Sequence, residues 1–577
     1  MDNLQQNLSE SAYVNLQKWL TEPQFAEFKT EIEALITEQN WQALEDAFFM
    51  DIEFGTAGMR GIVGVGPNRI NNVTIGSATQ GLAQFLLNKS ADSATQGVVI
   101  AYDTRNSSRQ LAELTARVLV GNGVKAYLFD SFRATPELSF AVRHLQAAAG
   151  VVISASHNPP EYNGFKAYAN YGGQLVAPDD KGVMDQVQAV TDIKLGDLAQ
   201  VEVIGAEVDR AYFEAVINDQ TVSDPQLSIV YSPLHGAGQT SVLPVLEQLG
   251  FQVSPVEAQM TPDGDFTNVA NHKPNPEEPG ANTLATEQML AENADIAITT
   301  DPDADRLSVI INHHGKVVAL DGNQSATLIM NYVMKNADPA KAYVCKTIVT
   351  TDFITAIAKK YGIKMYGDML IGFKFIGELI EEKAPLGERF LVGGEESYGV
   401  LVGTHARDKD AASGALIIAK YADELKKAGK TLYDELLALY EEFGVYQEGL
   451  ATAEFTGAVG FNKMKQLMVD LRENPLKELA GVPVTAVLDY NTLIKTDLAT
   501  GAQTPFDCRQ KGNVLVYEFG DERNRLTIRP SGTEPKIKLY LKRYEPVNPY
   551  ADVQTQAQVM RGYIKQFLES AKEQLLN

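Results

Sequence analysis

The stretch that decides the fold is Gly150-Val151-Val152-Ile153-Ser154-Ala155-Ser156-His157-Asn158-Pro159-Pro160. A short β-branched run that breaks into small and polar residues reads as a buried parallel strand, and ligands of α/β sheets bind just beyond the carboxyl ends of such strands. Ser156 therefore stands where chemistry is expected. Upstream lie Val98-Val99-Ile100-Ala101, a helical period to about Val120, Ala126-Tyr127-Leu128-Phe129 and a second helical period. The segment is βαβαβ, the signature of a parallel sheet with covering helices.

The same pattern recurs twice. Ser228-Ile229-Val230-Tyr231 opens a unit that closes on Ile296-Ala297-Ile298-Thr299, and Tyr343-Val344-Cys345 opens one that closes on Phe390-Leu391-Val392. Each closing strand runs into a polar loop. The fold class expected is α/β: three similar modules with mixed or parallel sheets and a C-terminal α+β domain, all around a central cleft. The last domain is signalled by the close spacing of Val514-Leu515-Val516-Tyr517, Leu526-Thr527-Ile528 and Ile537-Lys538-Leu539-Tyr540, as in antiparallel strands. An amphipathic helix over about residues 552–576 follows. At the other end, apolar spacing over residues 10–48 predicts an accessory helical cap, divided at Pro23 into a pair of helices. The expected domains are 1–215 with the serine loop, 216–318 with an acidic loop, 319–442 with a Glu/Ser loop, and 443–577.

A chain of 577 residues is too long for one core. Lys plus Arg number 50 against 74 Asp plus Glu, and the net charge of −24 opposes binding to nucleic acid or an anionic membrane. An anionic substrate then needs a locally basic pocket. With only Cys345 and Cys508, no disulfide framework or Cys-rich metal site is possible, and a reducing compartment is expected. The first residues, Met1-Asp2-Asn3-Leu4-Gln5-Gln6, lack the basic and apolar regions of a signal peptide, and no apolar run approaches the ~20 residues of a membrane span. The expectation is a soluble cytoplasmic protein with no nucleic-acid or membrane partner. The sequence is silent on oligomeric state.

Four loops carry chemistry. In Asp301-Pro302-Asp303-Ala304-Asp305-Arg306, three carboxylates alternate with small or rigid residues, so they can converge on one hard cation; all-oxygen ligation suits Mg²⁺. An EF-hand wants Gly at its sixth position and Glu at its twelfth, where this chain has Arg306 and Asn312. A solvated acidic turn is the alternative, but three such carboxylates repel one another unless a cation lies between them. Ser156 needs a base or a metal to act as nucleophile or phosphoryl carrier, and His157 or Lys166 could carry the proton. Without a Gly-x-Ser-x-Gly elbow an esterase is disfavoured. In Arg529-Pro530-Ser531-Gly532-Thr533-Glu534-Pro535, Arg529 with Ser531 and Thr533 around Gly532 suits a phosphate group, an ordinary turn being the alternative. Glu395 and Ser397, in Gly394-Glu395-Glu396-Ser397-Tyr398-Gly399, offer an acceptor and a donor for vicinal sugar hydroxyls, a solvated acidic turn being the equal alternative.

Other candidates fail. Ser241 occupies the third glycine position of a dinucleotide fingerprint begun by Gly236-Ala237-Gly238, and no Walker A sequence is present. His313-His314 beside Gly315 reads as a hairpin tip rather than a metal site.

These loops, in this order from Gly55 to Pro535, resemble the α-D-phosphohexomutase superfamily, most closely its bacterial-type phosphoglucomutases. The resemblance implies four domains, three of related α/β topology. It implies that Ser156 is the phosphoserine, that Asp301, Asp303 and Asp305 bind Mg²⁺ with the seryl phosphate completing the coordination, and that Arg306 helps bind the seryl phosphate region. His157 and Lys166 match positions of proton transfer, Glu395 and Ser397 the sugar-hydroxyl loop, and Arg529, Ser531, Gly532 and Thr533 the clamp on the non-reacting phosphate. Arg60 in Gly55-Thr56-Ala57-Gly58-Met59-Arg60-Gly61 and Lys409 in Arg407-Asp408-Lys409-Asp410 match positions near the active site. One departure is visible: Ile371 precedes Gly372-Phe373-Lys374 where many phosphoglucomutases carry Thr. The implied reaction interconverts α-glucose 1-phosphate and glucose 6-phosphate, with glucose 1,6-bisphosphate as intermediate and activator. A phosphomannomutase or phosphopentomutase would use the same chemistry, and a non-catalytic sugar-phosphate-binding protein is the rival of another class.

Overall fold

A computed structural model describes residues 2–53, 58–218, 220–455, 457–531 and 536–576, without the side chains of 2, 3, 457–459 and 461. The chain forms two compact units, residues 1–307 with 403–416, and residues 308–402 with 417–577.

The first unit is organised by a six-stranded sheet. Its strands are β1 (Met59–Ile62), β2 (Val98–Tyr102), β3 (Ala126–Phe129), β4 (Ala149–Ile153), β5 (Tyr162–Ala169) and β6 (Glu202–Ile204), in the order β1-β5-β4-β2-β3-β6. β2 is parallel to β3 and β4, as the βαβαβ pattern predicts, whereas β5 returns antiparallel to β4 and β1 antiparallel to β5. The sheet is mixed because eight residues of loop are too few for a helical crossover and can only turn the chain back on itself. That reversal sets Lys166 opposite Val152, close to the loop that starts at Ser154. β2 and β4 are buried along their whole length, which is why they lack the alternation of a half-exposed strand.

The same unit contains β7 (Ser228–Ser232), β8 (Gln252–Pro255) and β9 (Ile296–Thr300), parallel in the order β8-β7-β9. Its amino-terminal cap differs in detail from the sequence reading. Pro23 is more than a break between helices: it opens a 3₁₀ helix, Pro23–Phe28, and Asn40 caps a further helix, Trp41–Phe48, by accepting from the Ala43 N–H. Proline fixes φ and has no N–H to give, so it is accommodated at a first turn. A short helix, Asp2–Asn7, precedes Glu10–Thr21. Trp19 stacks on Phe25 at 4.4 Å and shares a core with Leu16, Ile32, Leu44 and Phe48.

In the second unit, which takes in all of β10 (Leu307–His313) but its first residue, β10 and β11 (Lys316–Ala319) make a hairpin. β12 (Ala342–Thr347), β13 (Lys364–Met369) and β14 (Arg389–Gly394) are parallel, with β15 (Val400–Val402) antiparallel to β14. The carboxyl-terminal region is the α+β domain expected. Its seven-stranded antiparallel sheet includes Val445–Glu454, Leu515–Phe519, Asp521–Pro530 and Lys536–Glu545, and the helix Val553–Leu576 packs on the Val445–Glu454 strand. Among the described residues no helix is long and apolar enough to cross a membrane.

Candidate active site

β4 delivers the chain into Ser154-Ala155-Ser156, all buried. The Ser154 hydroxyl accepts from the Ser156 N–H at 2.8 Å, tightening the turn, and Ser156 adopts φ +52°. A left-handed backbone at a residue with a Cβ costs about 1–3 kcal/mol and persists only where neighbours enforce it. The strain aims Oγ at the loop after β9. Ser156 Oγ donates to Asp301 Oδ2 at 2.6 Å, and His157 Nδ1 lies 3.1 Å from the same hydroxyl oxygen. A hydroxyl has one proton; with that proton directed at Asp301, a lone pair remains for a ring N–H.

The three aspartates are buried, with ligand atoms within 4.8 Å of one another. Their loop curls because Asp301 Oδ1 accepts from the N–H groups of Asp305 and Arg306, at 3.2 and 3.1 Å. Asp303 Oδ2 accepts from Lys166 Nζ at 2.6 Å and from Thr135 Oγ1 at 2.7 Å. Lys409 Nζ is 3.0 Å from Asp305 Oδ2 and also donates to Asp408 at 3.0 Å. Asp408 is held in turn by Tyr168 Oη and Gln174 Nε2, at 2.8 and 2.9 Å. Burial pushes the Asp301 carboxyl well up, and the charges of Asp303 and Asp305 add to this. Burial acts likewise on Asp303, but the Lys166 ammonium overcomes it and holds that carboxyl well below the usual range.

Two oxygens decide what the cluster is built for. Oδ1 of Asp303 and Oδ1 of Asp305 are buried and accept no hydrogen bond. An orphaned buried carboxylate oxygen is costly unless a ligand satisfies it. Two such atoms beside a third carboxylate and a hydroxyl make an all-oxygen donor set for a hard divalent cation, so the residues present fit Mg²⁺.

The first unit therefore brings together Ser156, His157, Lys166, Asp301, Asp303, Asp305 and Lys409. Arg60, exposed on β1, reaches Asn158 Oδ1 with Nη1 at 3.3 Å, beside the serine. Arg306 makes an ion pair with Glu277, and its Nε lies 3.7 Å from Asp305 Oδ1. In the second unit, Glu395 is buried at the end of β14 and its Oε1 accepts the Gly372 N–H at 3.1 Å, which ties the Ile371-Gly372 turn to the Glu395 loop. Ser397 is half-buried. Arg529 lies in Asp521–Pro530, paired with Lys538, and the Ser531 N–H donates to the Lys536 carbonyl at 2.8 Å. Gly532 and Thr533 lie outside the described residues.

His313-His314 does occupy a hairpin tip. Asp434 lies beside the two rings, but its Oδ2 and the His313 Nδ1 are both committed to Thr431, which caps the helix Leu432–Phe443. Sequence reasoning passed over Arg105, Asp103, Thr135 and Asp408, which all support the cluster. For Asp103 and Arg105 the signal was present, because Tyr102-Asp103-Thr104-Arg105 breaks from a parallel strand just as the serine loop does.

Sequence models of the phosphoglucomutase/phosphomannomutase α/β/α domains I, II and III match residues 51–194, 210–315 and 321–443. A phosphoglucomutase of Staphylococcus aureus (strain MRSA252) is 35% identical over 512 residues, covering 86% of this chain and 90% of that protein. One of Staphylococcus epidermidis (strain ATCC 12228) is 36% identical over 502 residues, covering 85% and 90%. Among solved structures, a phosphoglucomutase/phosphomannomutase family protein from Burkholderia thailandensis superposes with a TM-score of 0.64 at 18% identity, over 89% of this chain and 97% of that one. Parafusin, a phosphoglucomutase from Paramecium, superposes with a TM-score of 0.61 at 17% identity, over 91% and 96%. The match of all three α/β/α domain models in order, together with relatives aligned over most of its length, makes this chain a member of the phosphoglucomutase/phosphomannomutase family of phosphohexomutases.

Proposed function

We propose that this chain is a phosphoglucomutase, interconverting α-glucose 1-phosphate and glucose 6-phosphate through phosphorylated Ser156 and glucose 1,6-bisphosphate, which also loads the serine as activator. The observation that carries the reading is the Ser156 hydroxyl, 2.6 Å from an aspartate whose two partners each keep an unused buried oxygen. Asp301, Asp303 and Asp305 would hold Mg²⁺ together with the seryl phosphate, and the ion would supply charge stabilisation to the transferring phosphoryl group.

The protein's own groups do the rest. Ser156 Oγ gives its phosphoryl group to the free sugar hydroxyl and later takes the other phosphoryl group from the bisphosphate. His157 Nδ1, 3.1 Å from Oγ, is within proton reach of the serine. Lys166 and Lys409, anchored on Asp303 and Asp305, keep two cations beside the reacting serine, where a dianionic group must be bound. Arg60 and Arg306 add cationic contacts, Glu395 and Ser397 take the sugar hydroxyls, and Arg529 with Ser531, Gly532 and Thr533 holds the non-reacting phosphate. We take the four domains to be 1–215, 216–318, 319–442 and 443–577. Both cysteines are free, as suits a reducing compartment, and we place the enzyme in the cytoplasm.

Phosphorus NMR of α-glucose 1-phosphate with Mg²⁺ and catalytic glucose 1,6-bisphosphate tests the reading. Conversion to glucose 6-phosphate by the wild type and not by Ser156→Ala supports it. Preference for mannose or ribose 1-phosphate replaces the sugar, and no conversion of any of them overturns the mutase.

A further inference from the structure

Ser156 holds a left-handed backbone, and something must hold it there. Arg105 is 3% exposed, at the carboxyl end of β2 and beside the serine loop. Its Nη2 donates to the carbonyls of Ser156 at 2.7 Å and Asn158 at 2.5 Å. Its Nη1 donates to those of Pro159 at 2.7 Å and Tyr162 at 2.9 Å. Its Nε donates to Asp103 Oδ2 at 3.1 Å. A guanidinium has five N–H donors, and these five bonds use all of them.

Asp103 is itself fixed. Its Oδ1 accepts from the Arg105 N–H at 3.0 Å and from Ser108 Oγ at 2.5 Å. The Phe266 ring lies 5.1 Å from the guanidinium carbon. One planar, permanently charged group thus collects four carbonyls spread over residues 156–162, in a turn that is buried at Ser156 and partly buried beyond it.

We propose that Arg105 is a positioning residue for the phosphoryl-carrying serine: by gathering the loop carbonyls it sets the backbone of Ser156 so that Oγ stays trained on the aspartate cluster. This rests on the reading of Ser156 as the phosphoryl carrier, and adds to it the group that sets the serine's geometry. The bonds above join Arg105 to Asp103 and to backbone carbonyls, and none reaches Oγ, Asp301, Asp303 or Asp305, so the positioning it exerts on Ser156 passes through the backbone. Lysine cannot replace it, having three donors on a single nitrogen where the loop needs a fork reaching four carbonyls. A misplacement of about 1 Å at a reacting atom is sufficient to cost about 10²-fold in rate.

The test compares wild type, Arg105→Lys, Arg105→Ala and Asp103→Asn, each first checked for a cooperative thermal transition. Steady-state kinetics on the preferred sugar 1-phosphate, and the rate at which glucose 1,6-bisphosphate phosphorylates Ser156, are then measured well below the lowest Tm. The expected result is a fall in kcat of about 10²-fold in Arg105→Lys, with KM changed less than about threefold, a smaller fall in Asp103→Asn, and partial recovery of Arg105→Ala by added guanidinium. A merely structural role would lower Tm and leave kcat and the phosphorylation rate of the folded variants at wild-type values, and that outcome overturns the inference. Should Arg105→Ala not fold, Asp103→Asn and Arg105→Lys decide. An inactive wild type would instead count against the mutase reading, so the two failures are distinguishable.

Discussion

Among the described residues each compact unit holds a cluster of lysine and aspartate, and the two are built on opposite charge balances. In the first unit, Asp301, Asp303 and Asp305 outnumber Lys166 and Lys409 at the cluster, and two carboxylate oxygens accept nothing. In the second unit a single carboxylate, Asp352, lies between two lysines, 2.9 Å from Lys346 Nζ and 2.8 Å from Lys542 Nζ. There the charges are fully engaged: Lys346 Nζ also donates to the Thr350 carbonyl at 3.1 Å and Lys542 Nζ to the Ile348 carbonyl at 3.0 Å. A cluster with surplus negative charge and orphaned acceptors is incomplete without a ligand. A closed cluster, which joins β12 and the loop after it to Lys536–Glu545, has no need of one. The contrast separates an ionic cluster with unused acceptors from a self-contained one without reference to any relative.

The largest effect that bears on this contrast is at the serine. Ser156→Ala should lower turnover by at least about 10⁴-fold in a mutase assay while leaving Tm within a few degrees, because a small buried hydroxyl is lost and no cavity of consequence is made.

Next come the aspartates, whose predicted effects have opposite signs. Asp301→Asn should cost about 10³-fold in kcat, yet leave the metal-free protein as stable as wild type or about 1 kcal/mol more stable, since it relieves repulsion among buried carboxylates. Asp352→Asn should spare kcat within a few-fold and destabilise by about 3–5 kcal/mol, because two buried ammonium groups lose their counter-ion. Urea denaturation with EDTA present, alongside steady-state kinetics with Mg²⁺, measures both. If the two substitutions changed stability in the same direction, the distinction between the clusters would fail.

The clusters also respond differently to pH. Burial would raise the Asp352 carboxyl, but Lys346 and Lys542 together bring it well below the ordinary carboxylate range. Its stabilising contribution is therefore present above the unfolded value of about 3.9 and is lost as pH falls towards the folded one. Lys542 has the opposite dependence. Burial lowers it to about 8 despite Asp352. The folded state then binds fewer protons than the unfolded between about pH 8 and pH 10.4, so stability rises with pH through that window, by roughly 2–3 kcal/mol if Lys542 acts alone. Lys542→Met should flatten that rise, measured as the midpoint of urea unfolding at pH 8 and pH 10.

The smallest effect expected is at Ile371. Its side chain packs against the core that contains Leu370, Tyr490 and Val516, and the adjacent Gly372 N–H is held by Glu395. Ile371→Thr should move KM for the sugar phosphate by about two- to fivefold with kcat nearly unchanged, the pattern of a change in uniform binding.

Much of this was legible in the sequence because the strands concerned are buried on both faces. Val98-Val99-Ile100 and Val151-Val152-Ile153 have no polar face to confuse the reading, and each ends abruptly in polar residues. The Asp301-Pro302-Asp303-Ala304-Asp305 spacing likewise showed that three carboxylates could converge, and in the fold they do. Strand β5 was not legible: Tyr162-Asn163-Gly164-Phe165-Lys166 mixes polar and apolar residues, since Asn163 and Lys166 are buried for their hydrogen bonds rather than for burial of apolar surface. Arg105 was missed for a related reason. An arginine in a loop reads as solvated until the structure shows its donors spent on four carbonyls. The separate helix at Trp41 does not show in the sequence because Asn40 interrupts the apolar spacing by too little to be seen.

The central claim is that Ser156 carries the phosphoryl group, and peptide mass spectrometry of the protein incubated with glucose 1,6-bisphosphate and Mg²⁺ tests it most directly. The account predicts one phosphoryl group, on the peptide containing Ser156, lost again when glucose 1-phosphate is added in excess and absent from Ser156→Ala. Turnover of glucose 1-phosphate with no phosphate on Ser156, or with phosphate on another residue, would contradict it.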